Sequence, residues 1–159
     1  TGQGERLAIS YDYGVQGVEV AVDIETGLVR VLRFCSAFDT GKTINPKMCE
    51  AQLEGGAGMG ISSALYEGFV FSNKGELLNS NFHDYRICST MQVPSGEKMK
   101  SMTVEIPHRE GPFGAKGIGE TAMCPAAPAI ANAIYNAIGV RLTRLPMTPE
   151  RVLQAIKKK

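Results

Sequence analysis

Between Val18 and Ile24, apolar side chains recur at every second position, with Glu19, Ala21 and Asp23 between them. That alternation predicts a strand with one face on a core and one toward water. Glu25, Thr26 and Gly27 form a turn signal, and Leu28 to Phe38 is a second β-rich run. Together they predict an antiparallel hairpin. A shorter alternation from Leu7 to Tyr11 predicts a strand ahead of it. After Thr43 the period lengthens. Cys49, Leu53, Ala57, Ile61 and Leu65 fall at steps of four, which lays one apolar stripe along a helix. Asn45 can cap that helix and Pro46 suits its first position.

Further on, Phe69 to Phe71 and Leu77 with Leu78 flank Ser72 to Gly75, the pattern of a second hairpin. Ser95 to Lys98 reads as a polar turn. Met102, Val104 and Ile106 alternate as another strand, which Pro107 ends. Ile130, Ile134 and Ile138 share a helical face that Gly139 terminates. Pro125 and Pro128 limit where that helix can begin. Thr148, Pro149 and Glu150 open a last helix, whose final lysines complement its C-terminal dipole. The expectation is one α+β domain over residues 1–159, with antiparallel hairpins packed against helices and roughly equal helix and strand.

Composition narrows the function classes. Acids and bases nearly cancel, for a formal charge of +1 over 159 residues. A nucleic-acid or membrane-surface protein should show a basic excess, and no apolar run is long enough to cross a bilayer. Cys35, Cys49, Cys88 and Cys124 are irregularly spaced with no CxxC. They read as reduced, mostly buried thiols, not as a metal or disulfide framework. With no signal-peptide pattern, a cytoplasmic location is expected. The abrupt start at Thr1, with no initiator Met, suggests that an earlier portion is missing.

Two glycine clusters change the picture. Gly55, Gly56, Gly58 and Gly60 lie inside the first helix, where each costs roughly 1 kcal/mol against Ala. Close packing or backbone access for a bulky ligand would each explain them. The second cluster is Gly111, Gly114, Gly117 and Gly119, followed directly by Glu120. Such a loop brings backbone close to a ligand. An acid near a helix start is favoured by the dipole alone. An acid among apolar neighbours would instead have a raised pKa and could accept a proton. Cys124 has no evident His partner to make it a nucleophile, so the chemistry would have to come from a cofactor.

The ordered motifs resemble one family. "GAKGIGE" followed by "PAIANAIYNAIGVRLTRLPMTPERV" looks like the C-terminal end of the molybdenum hydroxylases, the xanthine dehydrogenase and aldehyde oxidase family. "VAVDIETGLVRV" also fits. So does the pattern carried by Asp39, Gly41, Ile44, Asn45, Pro46, Gln52, Glu54, Gly55 and Gly56, as do "SALYEG" and "NFHDYR" upstream of Val93 and Pro94.

The resemblance implies a C-terminal part of the molybdopterin-binding large subunit. Glu120 would be the general base beside molybdenum. Gln52, with Gly55 and Gly56, would lie in the segment that contacts the pterin, and Gly117 and Gly119 would form the loop beside it. Glu120 would take a proton so that oxygen from water enters an aldehyde or a carbon next to a ring nitrogen. The cofactor would be molybdopterin with molybdenum, in its mononucleotide or cytosine dinucleotide form. Electrons would leave through 2Fe-2S centres toward FAD. Iron–sulfur and flavin subunits, the N-terminal part of the large subunit and a dimeric holoenzyme are the implied partners. Lys116 and Arg109 are read as solvated loop charges in preference to contacts with an anionic cofactor group. The sequence departs from the family at Met59, where Gln is frequent, at Thr121 and Ala122, where Pro-Pro is frequent, and at Cys88, where Pro is frequent. The alternative is a non-catalytic structural or assembly module that keeps the fold. The catalytic reading expects Glu120 to face a cleft shared with Gln52.

Overall fold

A computed structural model describes residues 10–159. The strand expected from Leu7 lies largely outside the described residues, and Tyr11 precedes the first regular strand. Strand β1 (Gly14–Val22) pairs antiparallel with β2 (Val29–Asp39). Val18, Val20 and Val22 are half-buried, while Glu19 and Ala21 are exposed, as the alternation requires. The register shifts at Glu19 and Val20, where Leu32 is the extra residue of β2. The turn closes on Gly27, whose φ is +77° and whose N–H donates to the Asp23 carbonyl at 2.7 Å.

Helix α1 (Pro46–Leu65) follows. The Asn45 side chain accepts from the Met48 N–H at 3.2 Å, the expected cap. Leu53, Ala57, Ile61 and Leu65 are buried along the stripe, with Cys49 half-buried at its start. The chain then makes an excursion over residues 66–95. Its hairpin is reduced to one bridge, Phe71 with Leu77, around Gly75 at φ +83°. The Asn81 side chain accepts from the His83 N–H at 2.9 Å and so shapes "NFHDYR" as a turn. The Tyr85 hydroxyl donates to Glu67 at 2.8 Å and ties that turn back to the end of α1.

A 3₁₀ turn (Gly96–Lys98) leads into β3 (Met99–Val104), which joins β2 in parallel. The sheet order is β1-β2-β3, so only the first pair is an antiparallel hairpin. The reason is connectivity: β2 returns to β3 through α1, and a helical crossover delivers a parallel neighbour. Helix α2 (Ala126–Ile138) packs across β1 and against α1, and ends at Gly139 in the left-handed region. Helix α3 (Pro149–Lys157) completes the chain. Helix outweighs strand: the three helices have 20, 13 and 9 residues, against 9, 11 and 6 in the strands. The C-terminal Lys159 Nζ donates at 3.0 Å to the Ile138 carbonyl, so it serves the end of α2 and not its own helix.

The main core gathers Phe34, Ile61, Leu65, Met99, Ile130, Ile134, Met147 and Val152 between sheet and helices. A smaller core of Phe38, Leu53 and Ala122, with Ile118 packed on it, lies to one side. That satellite positions the candidate site.

Candidate functional site

The second glycine cluster forms an irregular loop that crosses the end of β2. It begins with a 3₁₀ turn (Pro112–Gly114), where Phe113 is exposed at φ 55°. Gly41, at φ +62°, has no room for a Cβ, which would stand 2.4 Å from the Gly114 carbonyl oxygen. Ile118 and Ala122 turn into the small core, and Glu120, between them, turns outward. The Gln16 side chain donates to the Ala122 carbonyl at 2.7 Å. Its own carbonyl oxygen is buried without a partner among the described residues.

Glu120 is exposed, not enclosed. It lines an open hollow of about 560 Å³ with Tyr11, Asp12, Phe38, Thr121 and Cys124. The expected apolar surroundings are therefore only partial, since Asp12 and Thr121 are polar and hydrogen-bond each other at 3.4 Å. Nor is Glu120 in the first turn of α2, which starts at Ala126 with no acid there. Pro125 and Pro128 set that start, so a simple dipole role for Glu120 lapses.

Gln52 lines a different hollow, of about 330 Å³, with Thr40, Ile44, Met48, Cys49, Lys116 and Gly119. The cleft expected to be shared by Glu120 and Gln52 is therefore not found; the two are linked through the chain, where Gln52 Nε2 donates at 2.7 Å to the carbonyl of Gly119, the residue before Glu120. The residue beside Glu120 is thus held by the helix that carries the first glycine cluster.

Within that cluster the glycines divide. A Cβ on Gly56 would come within 2.9 Å of the Ala122 Cβ, and one on Gly60 within 2.3 Å of the Ala126 Cβ. These two let the Glu120 loop and α2 approach α1. A Cβ on Gly55 would meet nothing within 4 Å, and one on Gly58 only Val93 at 3.9 Å. Gly55 shares an exposed stripe with Gln52 and Met59. Gly117 and Gly119 are exposed, and a Cβ on Gly119 would also meet open space. The backbone N–H groups of Gly117, Ile118, Gly119 and Glu120 donate to no acceptor among the described residues.

Lys116 is not a solvated loop charge. Its ammonium lies 2.5 Å from the Asp39 carboxylate, with side-chain exposures of 7% and 5%. Burial opposes the charge on Asp39, but hydrogen bonds from Lys116 and from the Gly41 N–H outweigh it and hold the carboxyl below its ordinary range. Sequence reading missed this pair, as well as Asp12 and Gln16. The signal for Asp39 was present in the "DxG" spacing, because its Oδ1 accepts from the Gly41 N–H at 3.0 Å.

All four cysteines are free. Cys35 and Cys124 are exposed, contrary to the expectation of mostly buried thiols. Among the described residues no cluster of His, Cys, Asp and Glu is placed to hold a metal ion by itself, and no helix is long and apolar enough to cross a membrane.

Comparison with known proteins decides the family. A sequence profile of the molybdopterin cofactor-binding domain matches residues 1–94. This chain belongs to the molybdopterin cofactor-binding domain family of the molybdenum hydroxylases. It is 40% identical, over 91% of its length, to the 6-hydroxypseudooxynicotine dehydrogenase complex subunit gamma of Paenarthrobacter nicotinovorans, and covers 18% of that protein. It is 38% identical over 99% of its length to an aldehyde oxidoreductase of Megalodesulfovibrio gigas, of which it covers 16%. The fold superposes on the crystal structure of the Desulfovibrio desulfuricans aldehyde oxidoreductase with a TM-score of 0.82. That match has 36% identity and covers 91% of this chain and 15% of the other. The chain thus spans less than a fifth of the length of the relatives it matches.

A flat, polar cofactor of this family needs hydrogen-bonding partners and backbone without side chains in its way. The exposed stripe of Gln52 and Gly55 and the unpaired amides of residues 117–120 fit one side of such a group.

Proposed function

We propose that this chain forms one wall of the cofactor and substrate site in a molybdenum-dependent hydroxylase, and that Glu120 is its general base. The observation that carries the reading is the Gln52 to Gly119 hydrogen bond, which fastens the open glycine face of α1 to the loop bearing the acid. Two regions far apart in sequence, each suited to a ligand for a different reason, are thereby placed side by side.

In this reading Gln52, Gly55 and the amides of Gly117 and Gly119 hold one edge of the molybdopterin, with Gly56 setting how closely the acid loop lies against α1. The cofactor, when bound, supplies the two-electron redox chemistry that lets oxygen from water enter the substrate. The Glu120 carboxylate accepts the proton that this water must lose. Its exposure in this chain means that the enclosing, water-excluding wall comes from another part of the large subunit. Asp12 and Thr121 border the same hollow and keep it polar on that side.

The substrate class is an aldehyde or an N-heterocycle. Relatives named aldehyde oxidoreductase, xanthine dehydrogenase molybdenum-binding subunit and nicotine 6-hydroxylase large subunit support that range. The name "complex subunit gamma" of another relative supports a multi-subunit assembly. Iron–sulfur and flavin partners and a dimeric, cytoplasmic holoenzyme complete the proposal, with the pterin in mononucleotide or cytosine dinucleotide form.

The exposure of Glu120 is the observation that favours the rival, a non-catalytic module. Turnover by the assembled large subunit with its partners separates the two readings. Glu120→Gln should lower turnover by about 10²- to 10⁴-fold while leaving molybdenum and pterin content near normal. Unchanged turnover would remove the base assignment and leave the module.

A further inference from the structure

Lys116 stands four residues ahead of Glu120 on the same loop. Its Nζ is held by the Asp39 carboxylate and also donates to the Tyr11 carbonyl at 3.2 Å. The Tyr13 ring lies 5.7 Å away, at its centroid. Asp39 is fixed in turn, because its other oxygen accepts from the Gly41 N–H. The neighbouring main chains are stitched together as well. The Lys116 N–H donates to the Thr40 carbonyl at 3.0 Å, and the Lys42 N–H to the Gly114 carbonyl at 2.8 Å.

A buried ion pair adds little net stability, since desolvation offsets the attraction. Two well-packed apolar side chains would serve a core as well. What the pair adds is direction. From Gly117 to Glu120 the backbone donates to nothing among the described residues, and two of the four residues are glycines with wide conformational freedom. The position of the acid is therefore set by where the loop is fastened. Ala122 holds the far end in the small core, and Gln52 grips the Gly119 carbonyl. At the near end Ile118 leans on the small core, and Lys116 is the residue there whose side chain is tied by an ion pair among the described residues.

We infer that Lys116 and Asp39 are a positioning pair that fixes the start of this loop and thereby the reach of the Glu120 carboxylate. The inference rests on Glu120 being the base. The pair acts through the loop backbone and takes no proton from the reaction.

The test uses the assembled holoenzyme and two readouts. One is amide hydrogen exchange at Lys42 and Lys116, whose N–H groups are hydrogen-bonded across this joint; the other is steady-state kinetics. Lys116→Met leaves a buried Asp39 charge unpaired and can fail to fold, so Asp39→Asn combined with Lys116→Gln is the second variant, and Lys116→Arg the conservative one. The charge-free double variant should show exchange about tenfold faster at the amides of positions 42 and 116. Its kcat should fall about 10- to 100-fold with KM and pterin content little changed, as expected for a misplaced group. Lys116→Arg should recover most of both. Exchange unchanged from wild type overturns the inference. So does faster exchange with normal kcat, provided that Glu120→Gln is inactive. If Glu120→Gln is itself fully active, the base reading falls and the positioning role with it. Faster exchange would then still show that the pair fastens the loop, so the two failures remain distinct.

Discussion

The side-chain amide of Gln52 donates to the Gly119 carbonyl at 2.7 Å across 67 positions of sequence. This one bond joins the exposed face of α1 to the residue immediately before Glu120. An amide is the natural choice there, since it can donate to a carbonyl and still offer an acceptor to a ligand.

Gln52→Ala should therefore act twice, by loosening the Gly119 corner and by removing a polar contact from the proposed cofactor wall. The expected outcome is a several-fold drop in molybdenum and pterin per large subunit, measured by metal analysis and pterin fluorescence. Gln52→Glu should be worse, because a carboxylate not only fails to donate but sets its negative charge against the Gly119 carbonyl oxygen. Normal retention in both variants would refute the pterin contact.

Glu120→Gln preserves shape and removes the proton acceptor. Loss of general-base catalysis costs about 10²- to 10⁴-fold in rate. We expect kcat to drop within that range while cofactor content and thermal stability stay near wild type. Because Glu120 is exposed, its replacement should not disturb the fold.

The glycines of α1 should separate in a stability assay. Gly60→Ala must push a methyl into Ala126, and overpacking of this kind costs about 1–3 kcal/mol. Gly55→Ala meets open space and should be neutral or stabilising by up to about 1 kcal/mol through helix propensity. If Gly55 borders the pterin, the same change should nevertheless lower cofactor content. Full content in stable Gly55→Ala protein would show that the cofactor lies elsewhere.

Asp39 predicts a particular acid response. Its folded pKa is lowered from the ordinary value of 3.8. The stability it contributes is complete above that value and lost as pH falls through the lowered one. The contribution should therefore persist at pH 5 and fade below about pH 4. Asp39→Asn should be less stable at neutral pH by about 3 kcal/mol, the scale for breaking a buried pair. It should also lose stability less steeply below pH 4. A pH-dependence parallel to wild type in denaturant melts would show that Asp39 is not the titrating group.

Much of this was legible along the chain. The Val18 to Val22 alternation, the Asn45 cap, the four-step stripe from Leu53 to Leu65 and the Gly139 stop each depend on neighbours within a turn or a strand pair. All four stand where the pattern puts them. The second hairpin is weaker than its pattern, a single bridge at Phe71 and Leu77, because Phe69 and Phe71 stay largely exposed: Phe69 meets the Tyr85 ring at 5.2 Å, but neither residue is sunk in a core. The family's ordered motifs could be recognised for the same local reason, since turns, caps and glycines leave their marks in short stretches.

The sequence alone determined where the main helices lie, that Val18 to Val22 and Leu28 to Phe38 pair as strands, which stripe of α1 faces inward, and which chemistry the glycine loop and its acid could serve. Only the tertiary structure decided that β3 runs parallel to β2, that Gly56 and Gly60 are contact surfaces while Gly55 is open, and that Lys116 is buried against Asp39. It also placed Glu120 at the surface, two residues from side chains sunk in a core on either side. The division has a physical cause. Local pattern reports interactions between residues a few positions apart, whereas burial and hydrogen-bond partners here join positions 67 and 77 residues apart. No single stretch of chain contains both halves of such a contact.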